Sequence, residues 1–179
     1  MNPKEIISKF DEYLATHNLS FEAIVIGGAA LALLKIITRE TQDCDILDPK
    51  IPPDIAKASK DFVKTLHKQG HDIKENWFNN GPEDLKKSLP KTWKSEIQLL
   101  FKGKVLTLFT LGRMDLLRAK LFAYCDRQQD LQDCIALFPT QEELQQVLEW
   151  LQTQDANPDW PNHVQKSLSF LAKELGYEF

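Results

Sequence analysis

The order of apolar and polar positions predicts helices and strands in the first part of the chain. Apolar residues recur at helical spacing in residues 3–16 and again in residues 54–68, so both segments are predicted to form amphipathic helices. Residues 21–26 are rich in β-branched and aromatic types, and residues 38–47 alternate between polar and apolar types, which predicts two strands. Such an order is typical of helices packed on a sheet.

The later pattern predicts a hairpin and then helices alone. Residues 95–101 and 105–109 are predicted strands, and Lys102-Gly103-Lys104 is predicted to join them as a turn. Beyond Gly112 the spacing of apolar residues is helical to the end of the sequence. Residues 140–143, Thr-Gln-Glu-Glu, have the form of a capping box that opens a helix.

The fold class expected from these elements is α/β, with a small mixed sheet flanked by helices and a helical C-terminal part. Residues 71–78 are predicted to add a further short strand to the sheet. We expect residues 1–110 to form the α/β core and residues 111–179 to form the helical part. Because no long linker separates the two, the helical part is expected to pack on the core.

Composition narrows the class of protein. The chain is 42% apolar and 27% charged, as is typical of globular proteins, and its net charge of −4 argues against a dedicated DNA-binding module. The three cysteines are far apart and lack C-x-x-C spacing, which indicates a reduced, cytoplasmic protein without structural zinc. We expect no signal peptide and no membrane association, because the longest apolar run, residues 23–37, is too short to cross a bilayer.

A glycine pair, Gly27-Gly28, separates the predicted strand at 21–26 from a short helical stretch at 29–34. Without Cβ atoms, backbone N–H groups at such a turn can approach a ligand closely. The start of a helix also favours a phosphate group. Taken alone, the pair is better explained by a tight strand-to-helix turn with no ligand.

Polar side chains alternate along the next predicted strand, at Arg39, Thr41, Asp43 and Asp45. In an extended segment all four point to one face, and Cys44 and Ile46 point to the opposite, apolar face. Two carboxylates at this spacing repel each other unless a cation compensates, and Mg²⁺ prefers hard oxygen ligands. A bare D-x-D also fits a solvated strand. The order of glycine pair, helix and T-x-D-x-D favours a metal–nucleotide site.

This order resembles the nucleotidyltransferase superfamily of the polymerase-beta type, whose mark is hG[GS], a helix, and DhD on the next strand. Here the motifs are Ile26-Gly27-Gly28 and Asp43-Cys44-Asp45, and the resemblance covers residues 20–140. A Thr two residues before the first Asp is similar to the AbiEii-like toxin branch and related bacterial nucleotidyltransferases. The resemblance implies transfer of a nucleotidyl group from an NTP to an acceptor hydroxyl of RNA or protein, with Mg²⁺ or Mn²⁺ as cofactor. It also implies a cognate antitoxin as a partner.

The resemblance implies roles for individual residues. Asp43 and Asp45 would bind the metal, and Lys120 would act with them by binding the nucleotide phosphates. The remaining nucleotide-binding positions would be Gly27, Gly28, Arg39, Thr41 and Asp130. Asp130 or Asp133 would complete the site or hold Lys120 in place. Alternatively, Lys120 is an exposed lysine lying along apolar neighbours, and the acidic residues form surface pairs.

A third carboxylate is usual in the superfamily, on a later strand. The candidates here are Glu96 and Asp72. The alternative is an inactive nucleotide-binding or protein-interaction module of the same fold, which is favoured if neither carboxylate reaches Asp43 and Asp45. A purely structural helical adaptor would have no cleft beside Gly27-Gly28.

Overall fold

The computed structural model describes residues 2–41 and 43–179, and the chain divides into two compact units, Met1–Leu111 and Gly112–Phe179. The first unit is a five-stranded mixed sheet with helices, and the second is helical. The predicted α/β fold class, with its small mixed sheet, flanking helices and helical C-terminal part, is confirmed.

The first unit contains, in chain order, α1 (Pro3–Thr16), β1 (Phe21–Ile26), α2 (Gly27–Leu33), β2 (Cys44–Asp48), α3 (Pro53–Lys68), β3 (Phe78–Asn79), α4 (Leu85–Ser88), β4 (Gln98–Lys102) and β5 (Leu106–Thr110). The strands lie in the order β3-β2-β1-β5-β4. β1 is antiparallel to β2 and parallel to β5, while β2 and β3 are parallel. β4 and β5 form the predicted antiparallel hairpin. The central strand β1 therefore leads directly into α2.

Three predicted strands are shorter than the sequence pattern indicated. The strand predicted at 95–101 begins only at Gln98, because residues 93–96 form a 3₁₀ turn. In the segment before β2, residues 38–41 and 43 form no strand, and pairing begins only at Cys44. The reason is the register: Asp45 is opposite Ile26, the last residue of β1, so the earlier residues have no strand beside them. Of the predicted strand at 71–78, only the last residue is part of β3.

One face of the sheet packs against α1 and α3. Alternate residues of three strands enter this core, together with the apolar faces of both helices. Phe10 of α1 is completely buried, and its ring lies 5.2 Å from that of Phe62, 5.4 Å from Trp77 and 5.3 Å from Phe78. Each aromatic pair contributes about 0.5–1.5 kcal/mol beyond its buried area. The cluster therefore ties α1, α3 and the β3 segment together.

A buried carboxylate on α1 holds the β4–β5 turn. Asp11 is 4% exposed and accepts backbone hydrogen bonds from Lys104 (2.8 Å), Val105 (2.9 Å) and Leu106 (2.8 Å). A Cβ atom at Gly103 would collide with this carboxylate. Burial raises the pKa of Asp11, but the three N–H donors and the Lys104 charge together lower it below the ordinary value of 3.8.

The second unit consists of α5 (Arg113–Arg127), α6 (Leu131–Leu137), α7 (Gln141–Gln152) and α8 (Trp160–Glu174). The predicted capping box is confirmed: the Thr140 hydroxyl accepts from Glu143 N at 3.2 Å, and the Glu143 carboxylate accepts from Thr140 N at 3.0 Å. Glu143 also pairs with Arg113 at 2.8 Å, which joins the starts of α5 and α7. Within residues 2–41 and 43–179, no helix has the length and apolar character that a membrane span requires.

We expect Asp11→Asn to lower the free energy of unfolding by about 1–3 kcal/mol at neutral pH, because an amide cannot accept from all three N–H groups. The pKa of Asp11 is depressed in the folded state, so its contribution is present above the unfolded pKa and is lost as pH falls through the folded one. Urea titrations at about pH 7 and about pH 2.5 should therefore show the difference from wild type shrinking in acid. An equal difference at both pH values would contradict this role for the ionised carboxylate.

Candidate functional site

The turn between β1 and α2 depends on the first glycine of the pair. Gly27 has a φ of +73°, a conformation that L side chains rarely adopt. A Cβ atom there would lie 2.7 Å from Oδ2 of Asp45. The carboxylate on β2 therefore occupies the space that a side chain at Gly27 would need.

The second glycine is approached by polar side chains from the segment before β2. A Cβ atom at Gly28 would lie 3.0 Å from the Thr41 hydroxyl oxygen and 3.4 Å from Nη2 of Arg39. The same hydroxyl donates to the backbone carbonyl of Asp43 at 3.4 Å. The glycine turn thus gathers hydroxyl, guanidinium and carboxylate groups from the segment leading into β2 and from β2 itself.

The sequence interpretation of this segment was partly wrong. Because β2 begins at Cys44, the four alternating polar residues do not share one strand face, and only Asp45 lies within the strand. The predicted apolar face is confirmed, since Cys44 is 2% exposed and Ile46 is completely buried in the core. The chain path before the strand, rather than strand alternation, brings Arg39 and Thr41 to the glycine turn.

Asp45 is oriented by an asparagine that sequence reasoning missed. Asn79 is opposite Asp45 in the β2–β3 pairing, and its Nδ2 donates to Asp45 Oδ1 at 3.1 Å. The amide oxygen of Asn79 accepts from Gly81 N at 2.7 Å, which fixes the orientation of the amide group. In the sequence, Asn79 carried only the signal of a turn residue before Gly-Pro.

Asp43 has a lysine as its partner. Nζ of Lys74 lies 2.9 Å from Asp43 Oδ2, and both side chains are partly exposed, at 49% and 38%. Lys74 belongs to the segment between α3 and β3, 31 residues away in sequence. No sequence motif marked this lysine.

A cleft lies beside Thr41. It has a volume of about 280 Å³, and its lining includes Glu40, Thr41, His71 and Asp72. Asp72, one candidate for a third carboxylate, is therefore placed at the edge of the site. The other candidate, Glu96, is exposed at the end of a 3₁₀ turn, Trp93–Glu96.

The carboxylates of Asp43 and Asp45 suit a metal ion that is bound jointly by the protein and by the phosphates of its substrate. In the described part of the chain, no three His, Cys, Asp or Glu side chains come together as a metal-binding group. Neither Glu96 nor Asp72 therefore forms such a group with Asp43 and Asp45. Mg²⁺ commonly uses one or two carboxylates together with waters and substrate phosphates. The two aspartates fit that chemistry, but they do not form a complete protein cage.

The second unit has its own cluster of charged residues. Lys120 is 5% exposed, and its Nζ lies 2.7 Å from Asp133 and 3.5 Å from Asp130. Asp133 is 2% exposed. The alternative of an exposed Lys120 is therefore wrong, and so is that of Asp133 as a surface group. Asp130 does form a partly exposed pair with Arg127 at 3.0 Å.

This burial also affects the neighbouring cysteine. The thiol of Cys134 donates to the Lys120 carbonyl at 3.7 Å, and burial raises its pKa to about 12. A thiol that stays protonated is a poor nucleophile, so Cys134 acts as a core residue.

We expect Asp133→Asn to lower the free energy of unfolding by about 3–5 kcal/mol, because it leaves a buried ammonium without its nearest counter-charge. Arg127→Gln is the matched control, since it removes a partly exposed pair on the same cluster and should cost about 1 kcal/mol or less. Urea unfolding at neutral pH measures both. A loss for Asp133→Asn no larger than the control would mean that the buried pair is not important for folding.

A family match covers most of the chain. The model of the family described as "Nucleotidyltransferase of unknown function (DUF6036)" matches residues 4–157. This segment includes the glycine turn, both aspartates and the Lys120 cluster. No curated protein and no solved structure matches the chain. Because the match extends over far more than half of the sequence, the chain belongs to this family of nucleotidyltransferases of unknown function.

Proposed function

We propose that this protein is a metal-dependent nucleotidyltransferase that moves a nucleotidyl group from an NTP to an acceptor hydroxyl. The observation that carries the proposal is the contact between the Gly27 turn and the Asp45 carboxylate, 2.7 Å from the position of a Cβ atom. It supports the proposal because a carboxylate, the kind of ligand that Mg²⁺ prefers, lies directly against the glycine turn. Membership of a nucleotidyltransferase family supports the reaction class.

The two aspartates are the proposed metal ligands. Asp45 Oδ1 is held by Asn79, and Oδ2 is the oxygen on the side of Gly27. When bound there with Asp43, Mg²⁺ or Mn²⁺ would neutralise charge on the nucleotide phosphates. Asn79 contributes by fixing the direction of the carboxylate, since a ligand group with a defined orientation loses less entropy on binding.

The triphosphate is proposed to lie over the second glycine. Arg39 Nη2 and the Thr41 hydroxyl both approach Gly28, where they supply a charged and a neutral donor to phosphate oxygens. The missing Cβ at Gly28 leaves room for these two side chains, so the phosphates are proposed to contact them at the glycine turn. Phosphate binding by Lys120 requires its buried pair with Asp133 to open. Asp130, 3.5 Å from Lys120 Nζ, is proposed to hold this lysine in place.

The cleft beside Thr41 is the proposed entry for the acceptor. In the reaction, the acceptor oxygen forms a bond to the α-phosphorus, the bond to the bridging oxygen breaks, and pyrophosphate leaves. The acceptor hydroxyl must lose a proton, and two carboxylates, Glu40 and Asp72, line this cleft. Asp72, already a sequence candidate for the third carboxylate, is our candidate for the proton acceptor.

The finer assignments rest on the motif resemblance and the composition. The similarity to AbiEii-like toxins favours RNA or protein as the acceptor and a cognate antitoxin as a partner. The cysteine pattern predicts a cytoplasmic location, and all three cysteines are free and buried.

A second candidate function is a nucleotide-binding or interaction module without catalysis. It is favoured by the Lys74–Asp43 pair, which neutralises one aspartate, and by the lack of a three-carboxylate group among the described residues. The two functions differ in pyrophosphate release. The enzyme releases pyrophosphate from its NTP when the acceptor is present, whereas the module binds the NTP and leaves it intact.

Thermal-shift titrations with each of the four NTPs, with and without Mg²⁺, test the site. A ligand that binds only the folded protein raises the melting temperature. At a free ligand concentration of one hundred times the Kd, it adds about 2.7 kcal/mol to the free energy of unfolding. We expect a Mg²⁺-dependent rise in wild type that is lost in the double variant Asp43→Asn/Asp45→Asn. Asp61→Asn on α3 removes a carboxylate from a surface pair and should behave as wild type.

The outcomes separate the hypotheses. A rise that persists in the double variant would place the nucleotide elsewhere. No rise with any NTP would count against both proposed functions that involve nucleotide.

Gly27→Ala tests the close approach itself. The new methyl group would be strained by the positive φ and would meet Asp45 Oδ2, so we expect a loss of about 1–2 kcal/mol in stability and a weaker response to Mg²⁺–NTP. Gly176→Ala is the matched control: its φ is +84°, but no atom lies within 4 Å of the added Cβ. It shares the backbone strain without the collision. If both variants respond equally to Mg²⁺–NTP, the Gly27–Asp45 contact has no role in binding.

A further inference from the structure

The ammonium group of Lys74 forms an ion pair with Asp43, one of the two proposed metal ligands, with 2.9 Å between Nζ and Oδ2. We propose that Lys74 is a phosphate-binding residue of the nucleotide site. Its ammonium pairs with Asp43 when the site is empty and moves to the phosphates when metal and nucleotide bind. This inference rests on the function proposed above and adds to it a residue and a coupling between the two ligands.

The backbone that carries Lys74 is anchored on both sides. On one side, Ile73 is 5% exposed and its carbonyl accepts a hydrogen bond from the His67 ring at 2.6 Å. On the other, Trp77 is 2% exposed, its N–H donates to the Lys74 carbonyl at 3.1 Å, and its own carbonyl accepts from Cys44 N. The backbone around Lys74 is therefore tied to α3 and to the first residue of β2, and its ammonium reaches Asp43 Oδ2.

The side chain, by contrast, is able to change partner. The Lys74 side chain is 49% exposed and that of Asp43 is 38% exposed. An ion pair this accessible to solvent changes the equilibrium constant for breaking the pair by about five-fold or less. Lys120 differs, because its side chain is 7% exposed and that of its partner Asp133 is 2% exposed. Breaking that pair would leave a buried charge. Of these two lysines, Lys74 can be released to a ligand at much lower cost.

The position of Lys74 couples metal binding to phosphate binding. A divalent cation that takes Asp43 Oδ2 displaces the ammonium and leaves two positive groups side by side. A polyphosphate removes this repulsion, because its oxygens accept from the ammonium and also bind the metal. The coupling is reciprocal, so metal and polyphosphate should each bind more tightly when the other is present.

The test uses two probes that do not require the correct nucleotide base: Mg²⁺ alone, and Mg²⁺ with inorganic tripolyphosphate. Apparent affinities come from thermal-shift titrations of wild type, Lys74→Met and Lys74→Arg. Lys64→Met is the matched control, because Lys64 makes an exposed pair of the same 2.9 Å length with Asp61 on α3. Lys74→Gln serves as a second neutral variant, with circular dichroism to establish that each variant is folded.

We expect Lys74→Met to change the two affinities in opposite directions. Mg²⁺ alone should bind up to about five-fold more tightly, because Asp43 has lost its competing partner. Mg²⁺–tripolyphosphate should bind about ten-fold more weakly, because a charge-assisted contact to phosphate is missing. Lys74→Gln should behave in the same way, while Lys74→Arg and Lys64→Met should both resemble wild type.

Two results would overturn the inference: unchanged affinities in both neutral variants, or changes of the same sign for both probes. Either result would leave the proposed function standing if wild type still responds to Mg²⁺–NTP. Failure of wild type to respond to Mg²⁺ with tripolyphosphate or with any NTP is a different outcome. It would remove the proposed function and this inference together.

Discussion

The lack of side chains at Gly27 and Gly28 is the constraint on which the candidate site depends. β1 ends at this turn, and the space where Cβ atoms would lie is filled by Asp45 and Thr41. The register of the sheet brings Asp45 to the glycine turn, because Asp45 is opposite Ile26, the last residue of β1. Strand pairing and the glycine turn thus act together, and a single methyl group at Gly27 would separate them.

Three aspartates of this chain show how environment decides the use of a carboxylate. Asp11 is buried among three backbone donors, and Asp133 is buried against Lys120, so both hold parts of the structure together. Asp43 is partly exposed and its partner Lys74 is even more so. Exchanging that partner for a cation costs little, whereas the other two carboxylates would leave buried charges or unpaired donors. Availability to a ligand therefore follows from solvent exposure more than from residue type.

Local patterns in the sequence were sufficient wherever structure is decided by neighbouring residues. Helical spacing predicted α1 and α3 nearly to the residue, and the capping box at residues 140–143 formed as predicted. The pattern failed at residues 38–41 and 43 and at residues 71–77, which form no strand. Strand formation needs a neighbouring strand: β1 ends opposite Asp45, and β3 pairs with β2 only from Phe78, opposite Cys44. The periodicity of a sequence indicates which face of a strand a side chain would occupy. It does not indicate whether a neighbouring strand is present to pair with.

By itself, the sequence determined the α/β class, the glycine turn and the aspartates at positions 43 and 45, because each can be recognised from a local pattern of residues. Only the tertiary structure decided what those groups touch. Asn79 and Asp45 are 34 residues apart, Lys74 and Asp43 are 31 apart, and Asp11 and Lys104 are 93 apart. Contacts of this kind arise from the packing of whole elements. No spacing rule along the chain encodes them, so the partners that orient, neutralise or bury each carboxylate became visible only in the folded molecule.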